Sequence, residues 1–301
     1  MIKNISLRKI SVTTCAFFIV LMIYLFPKTS SKLNVEKNIV YKDNGAYYVY
    51  LIDENDYLAR VSVPLESNDK TSIIKEKINI LLNNTTDSFV SPIPRNTKIL
   101  NVTISDDLLK LNFSKSLLLV TRDNEEKLIE TLIYTCLDSE INKLEIMVDN
   151  KLLKELPVSK KVISYPLTKG YGINKKYDIT SLNNIDKTTV YYFNNKNDEV
   201  YYVPVTHITN KNTEKINIII DELKSSVLFQ SNLNSYLSNK AVLEDYEIIE
   251  KTMFLTFNDK IFDNIDKKEI LEEVKYTIKE SIKDNYDVNE VVFKVLNSVY
   301  K

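Results

Sequence analysis

The chain has 301 residues, 44% hydrophobic and 27% charged, which is enough for two domains of about 100–150 residues, each with its own core. Lys and Arg (40) balance Asp and Glu (41), so the net charge is -1 and no basic excess exists to neutralise nucleic-acid phosphates. Three glycines cannot build a phosphate-cradling loop, and two cysteines, Cys15 and Cys136, can form neither a disulfide framework nor a Cys-rich zinc site.

Residues 1–9 carry Lys3, Arg8 and Lys9, and residues 10–26 then run without a charge to Pro27 and Lys28. A helix of that length spans roughly 26 Å, at the short end for a bilayer core of about 30 Å. No small-x-small cleavage pattern follows. Val12-Thr13-Thr14-Cys15 fits a lipobox only loosely, because the apolar run lies after the cysteine. The expectation is one uncleaved transmembrane helix at 10–26, a cytoplasmic tail at 1–9, a polar stalk at 27–45, and a body outside the cytoplasm by the positive-inside rule.

The body repeats itself. Glu76-Lys77-Ile78-Asn79-Ile80 recurs as Glu214-Lys215-Ile216-Asn217-Ile218, and the neighbouring elements recur in the same order at a shift near 140 residues. Strands at 49–52 and 57–63 flank the turn Asp53-Glu54-Asn55-Asp56; strands at 190–193 and 200–205 flank Asn194-Asn195-Lys196-Asn197-Asp198. Each pair reads as a hairpin. A helix follows, with Ile73, Ile74, Ile78, Leu81 and Leu82 on one face in the first copy and Ile216, Ile219, Ile220 and Leu223 in the second. Next come two strands, 98–104 and 108–113, repeated as 242–249 and 251–257. A second helix aligns Tyr134-Thr135 and Ser139 with Tyr276-Thr277 and Ser281. A last strand closes each copy, at 144–148 and 291–296.

The predicted fold class is α+β: two tandem β-β-α-β-β-α-β domains, each a mixed sheet covered by two helices, behind one N-terminal transmembrane helix. The predicted domains occupy 46–156 and 188–301, joined by a linker at 157–187 that holds Pro157, Pro166, Gly170 and Gly172.

Ser91-Pro92-Ile93-Pro94-Arg95-Asn96-Thr97-Lys98-Ile99, the strand Leu109-Lys110-Leu111-Asn112-Phe113-Ser114 and the helix around Glu130 and Tyr134 resemble the GerMN domain of the GerM family of bacterial sporulation and spore-germination proteins. Gly172-Ile173-Asn174 is similar to the Ile-Asn pair of that family's connector. Asn96 stands where glycine is usual, a position an Asn tolerates in left-handed backbone. Asn83-Asn84-Thr85 replaces a Gly-Pro, and the second copy lacks the Ile-Pro turn. The resemblance implies a non-enzymatic envelope protein of sporulation or germination, acting as a scaffold with other envelope or sporulation proteins. It also implies self-association like that of ring-building modules, and a body in the intermembrane space during sporulation. The alternative is a peptidoglycan-binding or peptidoglycan-hydrolysing protein.

No catalytic, cofactor-binding or metal-binding residue is expected. His207 is the only histidine and reads as a surface or turn residue beyond a strand. Cys136 reads as a small core residue in the place that Ile278 holds in the second copy. Asp53, Glu54, Asp56, Asp106 and Asp107 are carboxylates in turns, where backbone hydrogen bonding explains them, and none has Ca2+-loop spacing. Tyr47, Tyr48, Tyr50, Tyr191, Tyr192, Tyr201 and Tyr202 read as strand residues that stabilise a half-wet sheet and could face a glycan or protein.

Overall fold

Apolar residues that alternate along a strand share one face. Leu109, Leu111 and Phe113 in the first copy and Met253, Leu255 and Phe257 in the second are all fully buried on such faces. The computed structural model describes residues 39–40, 47–83, 89–181, 183–196, 199–210, 212–224, 232–262 and 269–296, all within one compact unit, Glu36–Lys301. The transmembrane helix expected at 10–26 lies outside the described residues. Among the described residues no helix is long and apolar enough to cross a membrane.

In chain order the elements are β1 (Ile39–Val40), β2 (Tyr47–Ile52), β3 (Leu58–Val63), α1 (Lys70–Asn83), β4 (Ile99–Ser105), β5 (Leu108–Phe113), α2 (Glu125–Cys136), β6 (Lys143–Val148) and β7 (Lys151–Leu152). They continue with β8 (Lys176–Asp178), β9 (Asp186–Lys196), β10 (Glu199–Thr209), α3 (Lys215–Lys224), β11 (Leu243–Ile249), β12 (Thr252–Phe257), α4 (Glu272–Asn285) and β13 (Glu290–Val295). Each copy thus runs β-β-α-β-β-α-β, and the class is α+β with mixed sheets.

The strands differ from one sheet per copy. In the first copy β4 pairs antiparallel with β5, and β5 parallel with β6. In the second, β11 pairs antiparallel with β12, and β12 parallel with β13. The same bulge interrupts both antiparallel pairs, between Ile99 and Asn101 and between Leu243 and Asp245. The hairpins are not part of these sheets. β2–β3 and β9–β10 meet edge to edge as one central sheet, joined directly where Tyr202 faces Arg60. Two apolar clusters result, one per copy. The first also takes Ile163, Leu167 and Ile173 from the connecting segment.

Equivalent contacts fix the register between copies. The Tyr50 N–H donates to Thr135 Oγ1 (3.1 Å), and the Tyr191 N–H donates to Ser281 Oγ (2.8 Å). These bonds match Thr135 to Ser281, one helical turn later than the alignment of Tyr134-Thr135 with Tyr276-Thr277. Cys136 therefore corresponds to Ile282, not Ile278. Apolar positions three and four apart on a helix repeat after one turn, so the pattern alone permitted the slip. The Ile-Pro turn also has a counterpart. The Ile93 N–H donates to Ser91 Oγ (3.2 Å) and the Leu237 N–H to Ser235 Oγ (3.3 Å), with both Ile93 and Leu237 buried. The turn persists without its prolines. Asn96 has φ 65°, the left-handed conformation that its replacement of glycine required.

The connecting segment is built into the sheet. β8 pairs parallel with the end of β10, His207 to Thr209 against Lys176 to Asp178. Gly172 starts this run at φ 86°, and a Cβ there would lie 3.2–3.3 Å from the Thr206 side chain. Gly172→Ala is expected to cost about 1–3 kcal/mol through left-handed backbone and crowding, measured as a lowered urea midpoint at unchanged slope.

Candidate functional site

The seam between β3 and β10 is where the two copies become one body. Beyond the Tyr202–Arg60 pair the strands part, and Leu58 and Pro204 would leave backbone groups facing a gap. Asn174 fills it. Its Oδ1 accepts from the Leu58 N–H (2.9 Å), and its Nδ2 donates to the carbonyls of Leu58 (2.9 Å) and Pro204 (2.7 Å). One carboxamide thus stands in for a peptide group of a strand pair. Asn174 is held for this task at φ 47°, with its own N–H donating to Glu130 Oε2 (3.0 Å). The neighbouring Ile173 carbonyl accepts from the Thr206 N–H (2.8 Å), and the Ile173 N–H donates to Thr206 Oγ1 (2.9 Å). Pro204 lies mid-strand in β10, and its carbonyl points to the seam. Its ring nitrogen faces the same way, towards the gap that Asn174 closes, so no ladder bond is lost.

Alternation puts Tyr48, Tyr50 and Arg60 on one face of the central sheet. There the hydroxyls of Tyr50 and Tyr191, one from each outer strand, meet at 3.1 Å. The Tyr191 hydroxyl donates to Asp284 Oδ2 (2.8 Å), and Lys169 Nζ donates to Asp284 Oδ1 (2.7 Å). Arg60 stacks over the Tyr48 ring at 3.7 Å and pairs with Glu280 of α4, so a strand of the first copy is bonded to a helix of the second. Both side chains are about nine-tenths buried. Burial is the largest single influence on Lys169 and works against its charge, but its partners together, Asp284 first among them, hold the ammonium pKa above its ordinary value. Burial also pushes the Tyr50 and Tyr191 phenols up, so they remain neutral hydrogen-bonding groups. These residues line a cavity of about 460 Å3 between the copies.

The acidic turn residues are engaged elsewhere. Asp53 is buried; its Oδ1 accepts from the N–H groups of Asn55 and Tyr57, and its Oδ2 from the Tyr201 hydroxyl (3.0 Å). Burial raises its pKa, and its role is to tie the first hairpin turn to the second copy. Glu54 is exposed in the same turn. Asp56 and Asp106 take left-handed backbone, Asp56 pairs with Lys127, and Asp107 pairs with Lys143 at 2.8 Å. Among the described residues no group of three or more His, Cys, Asp or Glu side chains could hold a metal ion.

His207 is not a surface residue. It is buried in β10, with Nε2 3.0 Å from the Tyr192 hydroxyl and Nδ1 3.5 Å from Glu222 Oε1. The strand continues past Val205 to Thr209, which draws His207 into the sheet. Cys136 is buried, and burial pushes its thiol up to about 12.

The sequence pattern did not single out Arg60, Glu280, Lys169 or Asp284. Arg60 carries a signal: it is a charge within the strand Leu58–Val63, and one of four arginines in a chain that otherwise prefers lysine. A charge buried on a strand needs a partner.

Comparisons with known proteins point one way. The Germane family model (sporulation and spore germination) matches residues 48–154. The chain is 29% identical over 262 residues to the spore germination protein GerM of Bacillus subtilis (strain 168), covering 82% of this chain and 70% of that one. It is also similar to a solved structure of the tandem GerMN domains of the sporulation protein GerM from Bacillus subtilis. That match has TM-score 0.74 at 29% identity and covers 84% of this chain and 91% of that one.

Asn174→Ala is expected to lower stability by about 2–4 kcal/mol, since it leaves one N–H and two carbonyls of the seam without partners. Asn174→Asp tests the donor alone. A carboxylate facing two carbonyls has its folded pKa raised, so its penalty is full above that raised value, shrinks as pH falls from there towards the ordinary Asp range, and is gone below that range. Denaturant unfolding across that pH range reads both effects. In a Cys15→Ser chain, Cys136 is expected to resist iodoacetamide at pH 8 when folded and to react once unfolded, followed by mass spectrometry.

Proposed function

Given that this chain belongs to the GerM family of sporulation and spore-germination proteins, with two GerMN domains in tandem, we propose that it acts as a non-enzymatic scaffold in an extracytoplasmic assembly. The supporting observation is the seam. A chain whose two copies share a sheet, with the connector hydrogen-bonded into it, presents its surfaces at a fixed mutual geometry. A scaffold needs that property, because rigid presentation lowers the ordering cost of each further contact. The carboxylates best placed for hydrolysis in sequence are engaged in turns and ion pairs, which favours binding over chemistry.

In this reading a single-pass anchor at 10–26 holds the chain in the cell membrane, N-terminus inside. The body faces other envelope or sporulation proteins, including further copies of itself. Disrupting the gene in its sporulating host is expected to impair spore formation or germination; fully germinable spores in normal number would overturn the reading. Incubation with purified peptidoglycan is expected to release no soluble fragments. Released fragments would instead establish a hydrolase, and retention on the sediment without fragments a glycan binder.

A further inference from the structure

The charges lining the cavity between the copies can be followed pair by pair. Glu280 is bonded to Arg60, and Asp284 to Lys169 and Tyr191. Asp287 pairs with Lys251, and Asp138 accepts from the N–H groups of Glu140 and Ile141 (2.8 Å each). Two cations are left over. Lys77 of α1 donates to the Thr135 carbonyl (3.0 Å) and lies 5.9 Å from the Tyr47 ring, with no carboxylate in ion-pair contact among the described residues. Lys283 of α4 has neither hydrogen bond nor ion pair among the described residues. One comes from each copy, and both line the same cavity of about 460 Å3.

We propose that this cavity binds a small ligand bearing one carboxylate, held between Lys77 and Lys283, with its polar body against the tyrosines. Three features select that class. The volume falls within the range of small-molecule sites, about 300–1,000 Å3. With Lys251 counted beside its partner Asp287, five cations meet four acids, a surplus of one that suits a single negative charge; a dianion such as phosphate would meet those acids at close range. The remaining wall, including Tyr48 and the hydrogen-bonded Tyr50, offers ring faces and hydroxyls to a hydroxylated or amide-rich body. Burial holds the Lys77 ammonium pKa down, a cost that a carboxylate neighbour offsets. The site goes beyond the scaffold reading and does not depend on it.

A carboxylate on a small polar body can come from an acidic sugar or from a peptide end, and the test separates the two. The full-length chain in lipid nanodiscs is titrated by calorimetry with N-acetylmuramic acid and with D-alanyl-D-alanine. N-acetylglucosamine and the dipeptide C-terminal amide are the uncharged counterparts. One carboxylated probe is expected to bind with Kd of about 1 mM or tighter and to lose roughly tenfold in affinity when its charge is removed. Lys77→Gln and Lys283→Gln, checked for unchanged melting, are each expected to weaken that probe by a similar factor. The proposal is overturned if neither carboxylated probe binds in that range, if the uncharged counterpart binds equally well, or if both variants bind as the parent chain does.

Discussion

A pair of strands that meets and then diverges leaves amide groups of the sheet interior facing each other across a gap. Leu58 and Pro204 are in that position, and the Asn174 carboxamide answers them with three hydrogen bonds. The other interactions of the seam depend on this one. With Asn174 in place, Ile173 reaches Thr206, β8 continues along β10, and Lys169 arrives at Asp284. The connector is therefore a structural member between the copies, and its conformation rests on Gly172 and Asn174, two residues in left-handed backbone.

Duplication supplies the frame, and divergence supplies the joint. Contacts internal to a copy are repeated: the Thr135 and Ser281 hydroxyls against the hairpin edges, the Ser91 and Ser235 turns, the two bulges. Between the copies, equivalent residues meet at the Tyr50 and Tyr191 hydroxyls, but the ion pair that joins the copies is not repeated. Arg60 answers to Pro204 across the pseudo-symmetric seam, and Glu280 corresponds to Tyr134. A symmetric seam would place like charges opposite each other, whereas the unequal pairs allow an ion pair and a proline to share it.

Much of this was legible where the reading depends on local spacing. Alternation placed Phe113 and Phe257 in equivalent cores, and Asn96 was correctly read as a left-handed turn residue. The joining of the hairpins was not legible, because partners separated by some 140 residues leave no local period. The helix register slipped by a turn because an amphipathic face looks alike at one-turn offsets. His207 was misplaced because its strand runs longer than its apolar core. The candidate cavity was invisible for a related reason: Lys77 and Lys283 are ordinary helix lysines until the other copy closes over them.

Arg60 has a consequence for how the molecule is made. Its strand finds its neighbour only when β10 has been synthesised, an interval of some 140 residues, on the order of ten seconds of elongation. Throughout that interval β3 is an open edge, the kind of surface on which chains pair wrongly with one another. A charge in the middle of such an edge discourages that pairing, since a foreign strand brings no carboxylate to meet it. The residue that later welds the copies through Glu280 thus guards the half-made chain until Glu280 arrives.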